Sequence, residues 1–351
     1  MKDPLATHSV EGVQPNAMMR RVDAVAARAA RIAECSGRRR RPAPGVDRDI
    51  KVMIAELRAE ATDAVGLRLV STVGDPLPGW RPGAHLDVTL PSGRVRQYSL
   101  CGDPSDRSCY RIAVRRIDGG AGGSREVHEL APGTRLTVRG PRNGFPFVSA
   151  PAYLFLAGGI GITPIAPMVR AAAAAGADWR LVHTGRDLAS LPLLETLAGL
   201  DESRIRRRSD EEHGGPATAA ELLADLPAGA AIYCCGPPPM IDAVRRAAPT
   251  SHGYHSERFS PPPVLGGRPF VVEFSPGGET VEVAADRSAL DAIRSVRPDI
   301  AYSCQQGFCG TCHVRLLSGS TERDTAGPGR MALCVGRAAG DRVVVELGRG
   351  A

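Results

Sequence analysis

Ser303-Cys304-Gln305-Gln306-Gly307-Phe308-Cys309-Gly310-Thr311-Cys312 places three cysteines on one short stretch, and Cys334 follows after 21 further residues. A Cys-x4-Cys-x2-Cys run with a distant fourth cysteine is the ligand spacing of a plant-type [2Fe–2S] centre. Three thiolates on a tight loop wrap one side of a small cluster, and the fourth arrives from another segment. The loop has to turn backbone N–H groups inward toward the sulfides, which favours residues able to take unusual φ/ψ. Gly307 and Gly310 stand between the ligands. Zinc is the alternative for four cysteines, but its structural sites usually pair two CxxC knuckles. Here a single CxxC follows a CxxxxC, so Cys304, Cys309, Cys312 and Cys334 read as cluster ligands.

The flanks of this loop read as a small α+β unit of the β-grasp kind over residues 269–351. FVVEFSPGGETVEVAA (270–285) has the alternation of a hairpin, SALDAIRSV (288–296) is a short helix, and RVVVEL (342–347) is a closing strand. Upstream, residues 260–268 are Pro/Gly-rich and partly stiff, as a linker between domains is.

Before the linker the pattern alternates between strand and helix. YLFLAGG (153–159) is a continuous apolar run ending in glycines, as a buried parallel strand should be. Helical PIAPMVRAAAAAG (164–176), strand WRLVHTG (179–185), helices LPLLETLAGL (191–200) and ATAAELLADL (217–226) and strand AIYCCG (231–236) follow. Residues 149–259 are therefore expected to form a doubly wound α/β nucleotide-binding domain. In Ala157-Gly158-Gly159-Ile160-Gly161-Ile162-Thr163-Pro164 the glycines let the backbone approach a pyrophosphate, and the helix start offers free N–H groups. The run resembles the GGxGxTP form of the ferredoxin-NADP reductase superfamily, a resemblance that implies its counterpart, Cys235-Gly236-Pro237, lies close to the nicotinamide. No base accompanies Cys235, so its role is positional rather than nucleophilic. Thr184-Gly185-Arg186-Asp187 ends the second strand, where an adenosine ribose would lie. Asp187 could accept from a ribose 2′-OH and repel a 2′-phosphate, which favours NADH, whereas Arg186 keeps NADPH open.

Residues 48–148 are strand-like throughout: IKVMIAELRAE, GLRLVS, HLDVTL, RVRQYSL, YRIAVRRI and RLTVRG, separated by Gly/Pro/Asp turns. Close spacing of short strands predicts an antiparallel β-barrel or sandwich, and the barrel is the form expected of this domain. Arg96-Gln97-Tyr98-Ser99-Leu100 matches the RxYS pattern of the ferredoxin-NADP reductase superfamily. The pattern assigns the Arg96 guanidinium to a flavin phosphate, the Tyr98 ring to the isoalloxazine and the Ser99 hydroxyl to the N5 region. Further on, Gly122-Gly123-Ser124 closes a Gly-rich turn into a predicted helix, REVHEL, a ready phosphate site.

The order RQYSL, GGSREV, AGGIGITP, YCCGPPPM, HSERF, SCQQGFCGTC resembles the phthalate dioxygenase reductase family over residues 50–351. The resemblance implies FMN rather than FAD, NADH and a [2Fe–2S] cluster in one polypeptide. It implies an aromatic at the end of the nucleotide domain against the flavin, here Phe259, with a plain core phenylalanine as the other reading. Ser99, Cys235 and Phe259 would then border the hydride-transfer site. The implied activity is that of a reductase serving a terminal oxygenase, Rieske-type or cytochrome P450. A redox-sensing protein without turnover is the rival of another class. The 21-residue spacing from Cys312 to Cys334 looks shorter than the family's usual one, and the N-terminal tail lies outside its pattern.

Bulk properties agree with two or three globular domains: 351 residues, 43% hydrophobic and 23% charged, with mean hydropathy −0.13. The net charge is +6, yet residues 1–48 carry ten Lys/Arg against five Asp/Glu, so the remainder is nearly neutral. That distribution excludes the broad basic face nucleic acid requires. Nine cysteines, an odd number scattered over a long chain, fit metal ligation in a reducing compartment better than a disulfide framework. No apolar run approaches a membrane span, and the first residues lack a signal-peptide core; a cytoplasmic monomer without membrane contact is expected. Residues 1–47 read as a disordered Arg-rich extension, with a short helix over 17–35; an upstream misassigned start and a docking arm are the two accounts of it.

Overall fold

The computed structural model describes residues 49–118, 122–259, 264–297, 300, 302, 305, 307, 310–322 and 324–346. The Arg-rich extension, the helix expected over 17–35, and the ligand positions Cys304 and Cys309 lie outside the described residues.

Six strands form the first sheet: β1 (Asp49–Ala61), β2 (Ala64–Ser71), β3 (Ala84–Thr89), β4 (Val95–Ser99), β5 (Cys109–Arg115) and β6 (Arg135–Asn143). Their order is β4-β3-β6-β1-β2-β5, every pairing antiparallel. The two edges meet through a Leu100–Ile112 bridge and a Cys101 N–H donating to Arg111 O at 2.9 Å, which closes the sheet toward a barrel. Alternation along the strands sends Val52, Ile54, Leu69, Leu86 and Val138 into one core, and helix α1 (Gly123–His128) adds Val127 to it.

The second sheet is wholly parallel: β7 (Ala152–Gly158), β8 (Asp178–Gly185), β9 (Ile205–Ser209), β10 (Ala230–Cys235) and β11 (Tyr254–Glu257), in the order β11-β10-β7-β8-β9. All of β7 is buried because both faces are covered. Phe155 and Ala157 share a core with Ile165 and Met168 of α2 (Ile162–Ala174). Leu154 and Leu156 pack on the other face with Leu222 of α3 (Ala219–Leu223) and Ile241 of α4 (Pro238–Ala247). Two local expectations fail here. The helix expected over 191–200 is only a 3-10 turn, Glu195–Leu197, because Leu193 takes a positive φ of 62° directly after Pro192. Strand β9 was not expected at all. Its arginine run hides it, and Arg208 is buried only because Asp210 (2.9 Å) and Glu221 (3.3 Å) pair with its guanidinium.

The third unit contains β12 (Phe270–Ser275), β13 (Thr280–Val283), α5 (Ala289–Arg294), β14 (His313–Ser318), β15 (Thr321–Glu322), β16 (Arg330–Ala332), β17 (Arg337–Ala338) and β18 (Arg342–Glu346). Its main sheet runs β13-β12-β18-β14-β16, with β12 and β18 parallel across a hairpin-and-helix crossover. Ser288 Oγ accepts the Asp291 N–H at 3.1 Å and starts α5, whose Leu290 and Ile293 face Phe274, Met331 and Val345. Arg337 is buried in this core, donating to Arg287 O and Arg268 O, each at 2.6 Å; it ties the linker's end to the sheet.

Candidate functional site

The parallel sheet reverses its order between β7 and β10, the switch point outside whose C-terminal ends such folds bind nucleotides. The loops leaving those strands press on each other. A Cβ on Gly161 would lie 2.1 Å from the Cys235 carbonyl oxygen, and one on Gly236 would lie 3.0 Å from Gly158 Cα. Thr163 Oγ1 donates to Ile160 O at 3.0 Å within the turn, Pro164 is buried behind it, and Thr184 pairs with Gly158 across the sheet. Pro237 stands at the start of α4. Beneath the turn, His183 Nε2 donates to Gly159 O at 3.1 Å, and burial pushes its pKa down to about 4. It is therefore a neutral strut, not an extra charge for the ligand.

Beside this crest stands β4, which carries Arg96, Tyr98 and Ser99. Ser99 is buried and its hydroxyl hydrogen-bonds the carboxyl of Glu257, which is the register partner of Cys235. Three strands from two sheets thus meet at one point. Burial pushes the Glu257 carboxyl up to about 8, against the Ser99 hydrogen bond, and its Oε2 is buried without a partner among the described residues. Burial, and then the neighbouring Glu257, raises the Cys235 thiol well above its usual range, so it stays protonated. Tyr98 is likewise kept neutral, chiefly by burial. Phe259, two residues past Glu257, is 49% exposed and so is not a core phenylalanine. Arg96 lies on the glycine turn: a Cβ on Gly123 would stand 2.6 Å from its Nε, and Gly122 takes φ 81° at the start of α1. Ser124 Oγ accepts the Ile117 N–H at 3.0 Å, stapling the turn.

Beyond the C-terminal end of β8, one carboxylate oxygen of Asp187 accepts the Ser190 N–H at 2.7 Å and caps a short turn. Arg186 donates to Asp63 Oδ2 of the barrel at 3.1 Å. Arg115 lies 3.6 Å from the same oxygen, with its Nη1 3.8 Å from where a Gly159 Cβ would be.

In the cysteine loop, Gly307 and Gly310 have φ of 87° and 79°, and Thr325 Oγ1 donates to Gly307 O. Cys312 and Cys334 are buried with their sulfurs 3.2 Å apart, beyond the roughly 2.05 Å of a disulfide. Two converging soft donors of this kind suit an iron–sulfur centre. Tyr302, just ahead of the loop, hydrogen-bonds β4: its hydroxyl donates to Val95 O and its carbonyl accepts from Gln97 Nε2, each at 3.4 Å. Arg294 lies over the Tyr302 ring, 4.1 Å from its centre. Tyr302 therefore abuts the strand that carries Arg96, Tyr98 and Ser99.

Residues 155–246 match the oxidoreductase NAD-binding domain family, and residues 272–338 match the 2Fe-2S iron-sulfur cluster binding domain family. The chain is 38% identical to the putative toluene-4-sulfonate monooxygenase system reductase subunit of Comamonas testosteroni, over 85% of this chain and 99% of that one. It is 33% identical to the phthalate dioxygenase reductase of Burkholderia cepacia, over 87% of this chain and 99% of that one. A solved phthalate dioxygenase reductase superposes with a TM-score of 0.66 over 86% of this chain and 98% of that chain. The chain belongs to the phthalate dioxygenase reductase family. An intact self-sufficient cytochrome P450 monooxygenase is also similar, at 34% identity and a TM-score of 0.68, but this chain spans only 45% of it.

As a member of the phthalate dioxygenase reductase family, the chain is an oxidoreductase of an oxygenase system, with an NAD-binding domain and a 2Fe-2S cluster binding domain. The chain's own groups fit a metal cluster and phosphate-bearing cofactors: paired thiols, a crest of closely packed glycines and an arginine laid on a glycine turn. Sequence reading missed Glu257, Arg115 and Tyr302. Glu257 stands inside the quoted HSERF, yet nothing in that string shows that its carboxyl is buried against Ser99. Among the described residues no helix is long and apolar enough to cross a membrane.

Proposed function

We propose that the chain is the NADH-dependent reductase of a Rieske-type oxygenase, working as a cytoplasmic monomer, with residues 48–148, 149–259 and 269–351 as its flavin, nucleotide and cluster domains. The observation that carries this reading is the meeting of Ser99, Cys235 and Glu257 at the sheet's switch point, with Tyr302, just ahead of the cysteine loop, hydrogen-bonded to the same barrel strand. When bound, the flavin links two-electron hydride chemistry to the one-electron chemistry of the cluster.

The chain's own residues divide the work of binding and orientation. Arg96, with Gly122, Gly123 and Ser124, receives the flavin phosphate, and Tyr98 lies along the ring. Ser99 donates toward the atom that takes hydride, and Glu257, neutral at pH 7, holds a proton beside it. Gly158, Gly159, Gly161, Thr163 and Pro164 hold the pyrophosphate; Thr184, Arg186 and Asp187 face the adenosine ribose. Cys235, Gly236 and Pro237 floor the nicotinamide site, where near-attack placement is what the protein contributes. Phe259, exposed at the end of the nucleotide domain, would pack against the flavin. Cys304, Cys309, Cys312 and Cys334 hold the cluster, and buried thiols of this number suit a reducing compartment.

The relatives that the chain spans end to end are reductase components of multi-component oxygenases, which supports a separate Rieske acceptor. The similarity to a self-sufficient P450 favours the second reading, a P450 acceptor. Anaerobic addition of NADH to the purified protein should bleach both a flavin band and a cluster shoulder. Flavin absorbance alone, with zinc on metal analysis, would end the reading. Stopped-flow reduction of a purified Rieske oxygenase against a ferric P450 then separates the acceptors, and faster P450 reduction would reverse the choice made here.

A further inference from the structure

The tip of the β1–β2 hairpin reaches the adenosine end of the crevice. Thr62 donates to Ala189 O through both its N–H (3.1 Å) and its hydroxyl (3.2 Å), which pins the tip two residues beyond Asp187. Asp63 beside it pairs through Oδ2 with Arg186 and, more loosely, with Arg115; its Oδ1 is buried with no partner among the described residues. We propose that Asp63 is a specificity-determining residue: by sequestering Arg186 it withholds from a 2′-phosphate the cation at the end of β8, and so selects NADH over NADPH. This rests on the nucleotide reading of the crevice given above.

The physical case is one of competing partners. A ribose 2′-phosphate is a dianion that needs a guanidinium, which binds it through two parallel hydrogen bonds. Arg186 is the cation of the Thr184–Asp187 segment, and Asp63 already takes its Nη2. Transfer of Arg186 to the phosphate would strip Asp63 of its nearer partner and set a dianion close to a carboxylate. Asp187 lies next along the chain, and Glu211, whose N–H donates to Arg186 O at 2.9 Å, adds further negative charge. A 2′-hydroxyl makes no such demand; it needs only an acceptor, which Asp187 supplies with its second carboxylate oxygen. Arg115 does not discriminate, because it lies toward Gly159 and hence toward the pyrophosphate that both nucleotides carry. The Arg186 side chain is 68% exposed, and a pair that open contributes little to stability, so its role is in selectivity rather than folding.

Isothermal calorimetry of the flavin-loaded holoprotein with 2′,5′-ADP and with 5′-AMP tests this. Asp63→Asn and Asp63→Ser should each tighten 2′,5′-ADP about tenfold while leaving 5′-AMP within about twofold, as release of one guanidinium to a phosphate implies. The gain should vanish in Asp63→Asn/Arg186→Ala and survive in Asp63→Asn/Arg115→Ala. NADPH kcat/KM should rise in parallel in Asp63→Asn. Unchanged 2′,5′-ADP affinity in both single variants, with 5′-AMP binding intact, overturns the role of Asp63 alone. A gain that persists without Arg186 overturns the sequestration. Failure of 5′-AMP to compete with NADH in the wild type overturns the crevice reading itself.

Discussion

At the crest of the parallel sheet Gly161 has φ −60°, a value open to any residue, yet a Cβ there would lie 2.1 Å from the Cys235 carbonyl oxygen. In the cysteine loop Gly310 has φ 79°, and the nearest atom to its would-be Cβ is His313 Nδ1, 3.8 Å away. One glycine is required by a neighbour and the other by its own backbone. The crest is thus a packing device, in which two loops are held so close that backbone groups alone can face a ligand. Gly307 and Gly310 are conformational devices, turning the backbone ahead of Cys312, whose sulfur lies 3.2 Å from that of Cys334. The two regions should fail in different ways.

The largest effect should come from Cys304→Ser, which removes a cluster ligand and leaves the crest untouched. Cytochrome c reduction should fall more than about a hundredfold, while flavin reduction by NADH stays within about twofold. Loss of both in a folded, flavin-loaded variant would mean the two regions are not separable. Next, Gly161→Ala should cost about 3 kcal/mol or more, since the clash is with backbone that cannot swing aside. Gly79→Ala, with nothing within 4 Å of its Cβ, is the control for the same change and should be near neutral. By contrast Gly310→Ala should cost about 1 kcal/mol, with Gly310→Asn closer to wild type because asparagine tolerates a left-handed backbone. Denaturation midpoints distinguish these; equal costs at Gly161 and Gly310 would erase the distinction.

The last effect is a pH dependence and concerns charge at the crest. Glu257 is raised by burial from 4.5 to about 8, so the folded state binds more protons than the unfolded state between those values. Its contribution is complete below the unfolded pKa and is lost as pH rises through the folded one. The stability of wild type relative to Glu257→Gln should therefore fall as pH rises across that window and level off above it. A difference that does not change with pH would show that the carboxyl is solvated after all.

Much of this was legible without coordinates. The cysteine spacing, the glycine runs and the RxYS string each encode a local requirement: donor type at fixed intervals, a backbone without Cβ, a polar group on a strand end. Their order along the chain extended the reading to a family. The misreadings lie where a local pattern was overruled. LPLLETLAGL has helical composition, but Pro192 and the positive φ of Leu193 break it, and the segment packs Leu193 and Leu197 into the core from an irregular path. Ile205–Ser209 looks like a charged surface run, and only the carboxylates of Asp210 and Glu221 make a buried arginine there tolerable.

What the sequence determined by itself is the chemistry on offer: four thiols at cluster spacing, two glycine loops after apolar strands, and an arginine, tyrosine and serine on a barrel strand. These are properties of residue type and short-range spacing, which the chain carries whatever its fold. What only the tertiary structure decided is which of these groups meet. Glu257 is hydrogen-bonded to Ser99 and registered against Cys235 although β4 lies in another sheet. Tyr302 reaches Val95 and Gln97 from more than two hundred residues away, and Asp63 reaches Arg186 from another sheet. Burial and electrostatic pairing are set by distance in space, and distance in space is what a linear sequence does not contain.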